Sequence, residues 1–163
     1  MDGGKRQAQE LGDLFFDAFR ASPVGIAIED LNGQPVFVNP ALCSMLGFSE
    51  EDLRRKHCVD FSPPEDAQKD WELFQQLRAG VIDHYSLDKR YFRRDGSLMW
   101  GRLSISLLND RPSPLVIAMV EDITEIRLAQ DETSFTLFAC SRPGTVGLAV
   151  PELEFCGGRV ARI

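Results

Sequence analysis

The apolar positions of this chain change period from one stretch to the next, and each change marks an element. From Gln7 to Arg20 the residues Leu11, Leu14, Phe15, Ala18 and Phe19 recur at spacings of three and four, which predicts an amphipathic helix. Ala21-Ser22-Pro23 breaks it, and Val24-Gly25-Ile26-Ala27-Ile28 reads as a short strand rich in β-branched residues. Asn32-Gly33 then supplies a hairpin turn before a second strand, Val36-Phe37-Val38.

Helical signals follow. Asn39-Pro40 offers an N-cap and a proline at the first helical position, where a missing N–H costs nothing. Ala41, Leu42, Met45 and Leu46 form the apolar face behind it, and Gly47 terminates it. Ser49 caps a short helix with Glu50, Glu51 and Asp52 in its first turn, where the helix dipole favours acids. Ser62-Pro63-Pro64-Glu65-Asp66 opens a longer helix to about Arg78, expected to bury Trp71, Phe74 and Leu77 and to end near Ala79-Gly80.

The period then returns to two. Tyr85 to Arg93 and the segment after Met99 flank Asp95-Gly96, a turn signal because glycine takes positive φ without penalty and aspartate tolerates it. Past this turn Trp100, Arg102, Ser104 and Ser106 fall on one strand face, and Gly101, Leu103, Ile105 and Leu107 on the other. A turn-rich loop from Asn109 to Pro114 leads into Leu115-Val116-Ile117-Ala118-Met119-Val120, an apolar run of strand length. Two hairpins with short helices between them predict an antiparallel α+β domain with its helices on one side of the sheet.

Composition narrows the function. A chain of 163 residues, 44% hydrophobic and 26% charged, has room for one domain plus extensions, and its net charge of -7 argues against a nucleic-acid surface. The one basic cluster, Lys89-Arg90 with Arg93-Arg94, reads as a solvated strand face or a set of ion-pair partners. No apolar run reaches the ~18 residues of a membrane span and no apolar signal core follows Met1, so a cytoplasmic location with reduced thiols is expected. Cys43, Cys58, Cys140 and Cys156 lack Cys-x-x-Cys spacing, although their number would permit two bridges. The histidines are His57 and His84; His57 and its neighbour Cys58 point apart in either regular structure, which argues against zinc. Phosphate loops, nucleophile elbows and zinc-protease helices are missing from the sequence, and catalysis is not expected.

In order along the chain, the motifs resemble those of a PAS domain with its C-terminal PAC half. Asn39-Pro40-Ala41-Leu42 resembles the family's "vNpA" helix start, and Leu46-Gly47-Phe48-Ser49-Glu50-Glu51-Asp52-Leu53 its "lGYs.eeL" stretch. Pro64-Glu65-Asp66 is similar to its "PeD". Lys89-Arg90-Tyr91 with Arg94-Asp95-Gly96-Ser97 and Trp100 resembles its "R...kDGs..W" hairpin, and Asp122-Ile123-Thr124-Glu125 its "DITE" ending. The pieces run from about Asp17 to Glu125, and no one of them is specific alone. The resemblance implies a five-stranded antiparallel sheet cupped by short helices, with Asn39, Gly47, Asp95 and Gly96 as structural motif residues.

PAS domains are sensory and dimerisation modules, and some hold a cofactor between helices and sheet. Cys58 falls where the photoreactive cysteine lies in the flavin-binding LOV subgroup, whose motif reads Asn-Cys-Arg-Phe-Leu-Gln. Here the run is His57-Cys58-Val59-Asp60-Phe61-Ser62, and Tyr91 and Gly101 stand near places where that subgroup carries flavin-binding asparagines. A flavin edge would go unpaired at about 1–3 kcal/mol per group, so flavin is disfavoured. Haem is disfavoured too, since neither histidine lies on the long helix from Glu65 to Ala79.

The expected organisation is an N-terminal helix at 1–20, a PAS/PAC sensory domain at 21–125 and a linker helix and tail at 126–163. The expected function is a sensory signal-transduction module that binds a small ligand or partner and acts as a homodimer through the N-terminal helix and an exposed sheet face. It relays its state through its C-terminal helix to an effector domain or partner outside this chain. Trp100, Asp122 and Thr124 are the expected signal-coupling residues, and no membrane or nucleic-acid partner is expected. The rivals are a flavin photoreceptor or redox sensor using Cys58, and a dimerisation module without a ligand.

Overall fold

The computed structural model describes residues 3–108 and 112–130 of the chain. The expected turn at 109–111 and the tail from 131 onward lie outside the described residues. Helix α1 (Gly3–Ala21) precedes strands β1 (Gly25–Asp30) and β2 (Pro35–Val38). Three short helical elements follow: α2 (Pro40–Leu46), α3 (Glu50–Arg54) and a 3-10 turn at Cys58–Phe61. The longer α4 (Pro64–Arg78) then leads to β3 (His84–Phe92), β4 (Leu98–Leu108) and β5 (Leu115–Asp122), and residues 124–130 are helical.

The strands form one antiparallel sheet in the order β2-β1-β5-β4-β3, which is the α+β architecture expected from the hairpin pattern. The last strand therefore lies in the middle of the sheet. Its end, Asp122, sits opposite Gly101 of β4, so the chain leaves the sheet beside Trp100.

Local chemistry explains the turns. Asn39 is fully buried: its Oδ1 accepts from Leu42 N–H at 3.0 Å and Ile26 N–H at 2.8 Å, and its Nδ2 donates to Val24 and Phe19 carbonyls. One side chain thus caps α2 and fastens it to β1 and to the end of α1. Gly47 ends α2 at φ 74°, and Gly96 turns the β3–β4 hairpin at φ 84° while Asp95 Oδ1 accepts from Ser97 N–H at 2.9 Å.

The core lies between the helices and the inner sheet face. Ala27, Leu87, Met99, Leu103, Ile105, Val116, Ala118 and Val120 meet Leu42, Leu46, Leu53, Phe61, Phe74 and Leu77, each worth about 1.5–3 kcal/mol for the larger side chains. In β4 the alternation runs as the sequence predicts, with Met99, Gly101, Leu103 and Ile105 inward.

Helix α4 opens at Pro64, within the expected start signal, behind an N-cap at Pro63 that makes no side-chain bond. Two expectations need correction. Trp71 is only half-buried, stacked on Phe74 with ring centroids 5.3 Å apart, and the inward face of α4 is instead Asp70, Phe74 and Leu77. His57 and Cys58 do not point apart: His57 caps the 3-10 turn, and Cys58 Sγ lies 3.6 Å from its Nδ1.

Candidate functional site

Strand β3 alternates strictly, so in Asp88-Lys89-Arg90 the middle residue faces the core and its neighbours face outward. Lys89 is 2% exposed, and its Nζ lies 2.5 Å from Asp70 Oδ2 on α4. Tyr85 O–H donates to the other Asp70 oxygen at 2.6 Å, and the Lys89 ammonium also stands 4.6 Å from the centroid of the Tyr91 ring. Burial, then the Asp70 charge, pushes the Tyr85 phenol well above its usual range, so it stays a donor.

A second acid joins this pair. Glu29 is 6% exposed on β1, next to a register shift against β2 between Ile28 and Glu29. Its Oε2 is buried without a hydrogen-bond partner among the described residues. Burial, then the Asp70 charge, raises its pKa from 4.5 to about 8, with Lys89 pulling the other way. Glu29, Asp70, Lys89, Tyr91 and Cys58 share one cavity of about 40 Å³, whose remaining walls are largely apolar.

The outer face of the same strand holds the chain's exit. Asp88 accepts from Arg102 Nε at 2.8 Å and from Arg127 Nη2 at 2.9 Å, which hold its carboxyl below the usual range. The Arg127 guanidinium lies 4.9 Å from the centroid of the Trp100 ring, and that of Arg90 lies 6.0 Å from it. Arg90 is itself anchored to α4 through Asp66 at 2.8 Å and Glu65 at 2.7 Å. Trp100 N–H donates to Thr124 Oγ1 at 3.0 Å, and Ile123 N–H donates to Trp100 O at 2.9 Å. Asp122 accepts from Thr124 N–H at 3.0 Å and pairs with Arg93 at 2.8 Å, and Arg93 in turn donates to Met45 O on α2.

Trp100, Asp122 and Thr124, picked out from the sequence, thus meet at one place. Asn39, Gly47, Asp95 and Gly96 stand at turns and caps outside it, and Cys58 lies on the wall of the core cavity. The sequence reading missed Glu29, Asp70, Lys89, Tyr85, Asp88 and Arg127. Strand period placed Glu29 in line with Ala27, and Lys89 in line with Tyr85, Leu87 and Tyr91; helix period placed Asp70 with Phe74 and Leu77. Lys89 is therefore no part of a solvated face, although the basic cluster does supply ion-pair partners.

Comparison with known proteins fits this architecture. Residues 23–125 match the PAS domain family. The chain belongs to the PAS family. It is 38% identical over 125 residues to the probable diguanylate cyclase DgcE of Escherichia coli (strain K12), covering 76% of this chain and 11% of that one. It is 29% identical over 135 residues to the sensor histidine kinase TmoS of Ectopseudomonas mendocina, covering 79% and 14% respectively. This PAS chain therefore spans only a small part of the curated signalling proteins that it matches. The crystal structure of the PAS domain of an HTR-like protein from Haloarcula marismortui superposes with a TM-score of 0.62 at 23% identity, over 76% of this chain and 100% of that one.

Some PAS domains hold flavin or haem, and the residues present here fit neither. The 40 Å³ cavity is far below the roughly 300 Å³ at which ligand pockets of that class begin. The Tyr91 ring lies against Gly101 so closely that a Cβ there would come within 2.6 Å of it. Burial, then the Glu29 and Asp70 charges, keeps the Cys58 thiol protonated and a poor nucleophile. His57 is engaged at both ring nitrogens, Nδ1 accepting from Val59 N–H and Nε2 donating to Asn32 O, while His84 is exposed beside Asp83.

Proposed function

We propose that this chain is the sensory module of a longer signalling protein. It binds a small ligand in its core cavity and relays that state to the helix at 124–130. The observation that carries this reading is the alternation of Asp88-Lys89-Arg90. Lys89 belongs to the buried charge cluster, while Asp88 and Arg90 hold Arg127 and Trp100 at the exit of the chain. A ligand that displaces Lys89 together with the β3 backbone moves both neighbours. It changes the output to the extent that it binds the two arrangements unequally. The module acts by binding rather than catalysis, in the cytoplasm, on an effector or partner outside this chain.

The same reading includes a homodimer. Leu11, Leu14, Phe15 and Phe16 of α1 are more than half exposed, and Phe16 shares a groove with Phe37 of the edge strand β2. A second copy presenting the same stripe would cover this surface by two-fold symmetry. Native mass spectrometry of the purified chain tests both parts. Twice the chain mass with a co-purifying small molecule supports the reading; a ligand-free dimer favours a pure dimerisation module, and a ligand-free monomer removes both parts.

A further inference from the structure

Buried charges persist when they are paired, and the core cavity sets two acidic side chains, Glu29 and Asp70, against one cationic side chain, Lys89. Asp70 and Lys89 neutralise each other at 2.5 Å, and Asp70 takes a second donor from Tyr85. Glu29 Oε2 has no partner among the described residues and lies on the wall of the same cavity. One water needs about 10–15 Å³ of such space, so a 40 Å³ cavity admits a few water-sized atoms. Most of the other lining, including Ala27, Leu46, Phe61 and Val120, is apolar and gives a polar ligand no further partner.

We infer that the core cavity binds a water-sized ammonium-type cation, ammonium or methylammonium, with its N–H donating to Glu29 Oε2. The inference rests on the cavity being the ligand site of the proposed function. A hard divalent cation does not suit it. Among the described residues no group of three His, Cys, Asp or Glu side chains could hold a metal, and such ions need six or more oxygens. An anion would set a third acidic group beside Glu29 and Asp70, against the single cationic side chain Lys89 on the cavity wall. A methyl group on the cation would meet the apolar wall, whereas a longer alkyl chain would not fit.

The competing occupant of Glu29 is a proton. Asp70 of α4, Lys89, Tyr85 and Tyr91 of β3, Asp30 of its own strand and Cys58 of the 3-10 turn set its electrostatics. With a pKa near 8 the side chain is largely a neutral acid below that pH. Cation binding then converts carboxylic acid plus ammonium into a carboxylate-ammonium pair and releases one proton to solvent. Affinity should rise with pH, approaching tenfold per unit well below pH 8, and level off above it.

The test is calorimetric titration of the full chain with methylammonium chloride between pH 6 and 8.5, in buffers of different ionisation enthalpy. Expected are saturable binding at pH 8, about fivefold weaker at pH 7, release of about one proton at pH 7, and no binding of butylammonium or tetramethylammonium. Glu29→Gln should abolish binding. Ala27→Val, which fills the cavity from the same strand, should do so by bulk and serves if the first variant does not fold. Failure of methylammonium to bind at pH 8, or unchanged binding in folded Glu29→Gln, overturns the inference. If native mass spectrometry finds another small molecule in the core while methylammonium is inert, this inference falls and the proposed function stands. A core that takes up neither overturns both.

Discussion

Lys89 Nζ lies 2.5 Å from Asp70 Oδ2, with the two side chains 3% and 4% exposed, so an ion pair is sealed inside the PAS core. Desolvation makes such a pair costly to form and costly to break singly. Asp70→Asn should lower stability by about 3–5 kcal/mol, because Lys89 loses the carboxylate that pairs it in the core and Tyr85 loses its charged acceptor. The triple change Lys89→Met, Asp70→Leu and Tyr85→Phe should recover most of that loss. Urea unfolding of the single and triple variants measures both.

Stability should fall as pH rises between about 5 and 8. The Glu29 pKa is raised by folding, from 4.5 to about 8, so the folded state binds the extra proton in this window. The stabilisation is fully present below 4.5 and is lost progressively as pH climbs through the folded value, by at most about 1.4 kcal/mol per unit. Glu29→Gln should flatten this slope in thermal or urea unfolding followed against pH. The lowered carboxyls Asp66 and Asp88, held by Arg90 and Arg102, lose their stabilisation only in acid and leave the window clear.

Trp100→Ala should loosen the start of the helix at 124–130 more than it affects the core. It removes the ring beside Arg127 and Arg90, worth about 0.5–1 kcal/mol per exposed contact. Thr124→Val should act on the same segment, since it leaves Trp100 N–H without its side-chain acceptor, at about 1 kcal/mol. The check is amide hydrogen exchange over 123–127, expected to quicken about fivefold in either variant, with Met99, Leu103 and Ile105 unchanged.

Gly101→Ala should destabilise the domain by about 1–3 kcal/mol, as overpacking does. The new Cβ would meet Tyr91 ring carbons at 2.6 and 2.8 Å, and that side chain is buried in the core. Tyr91→Leu in the same chain should relieve part of the loss. Thermal unfolding of the single and double variants measures the coupling.

Period and turn chemistry made the fold legible. Asn39-Pro40, Gly47 and Asp95-Gly96 each act through a local requirement that the sequence displays by itself. The meeting of Trp100, Asp122 and Thr124 was reachable through the family's motifs. The charge cluster was not, because Lys89 and Asp70 are 19 residues apart and each has an ordinary surface explanation when read alone. Only pairing β3 against α4 shows that two inward positions carry opposite charges. Glu29 escaped for the same reason, at the far end of the strand reading where its neighbour Asp30 opens a turn.

We propose that the core cluster and the exit helix are coupled through β3. Amide hydrogen exchange at 124–130 in the wild type and in Lys89→Met tests it most directly. Lys89→Met changes only an inward side chain and touches nothing at the exit. Exchange at 124–130 should change in this variant, by the same order as in Trp100→Ala, while the chain remains folded. Exchange at 124–130 identical to wild type, with the core demonstrably perturbed at Asp70 and Tyr85, would contradict it.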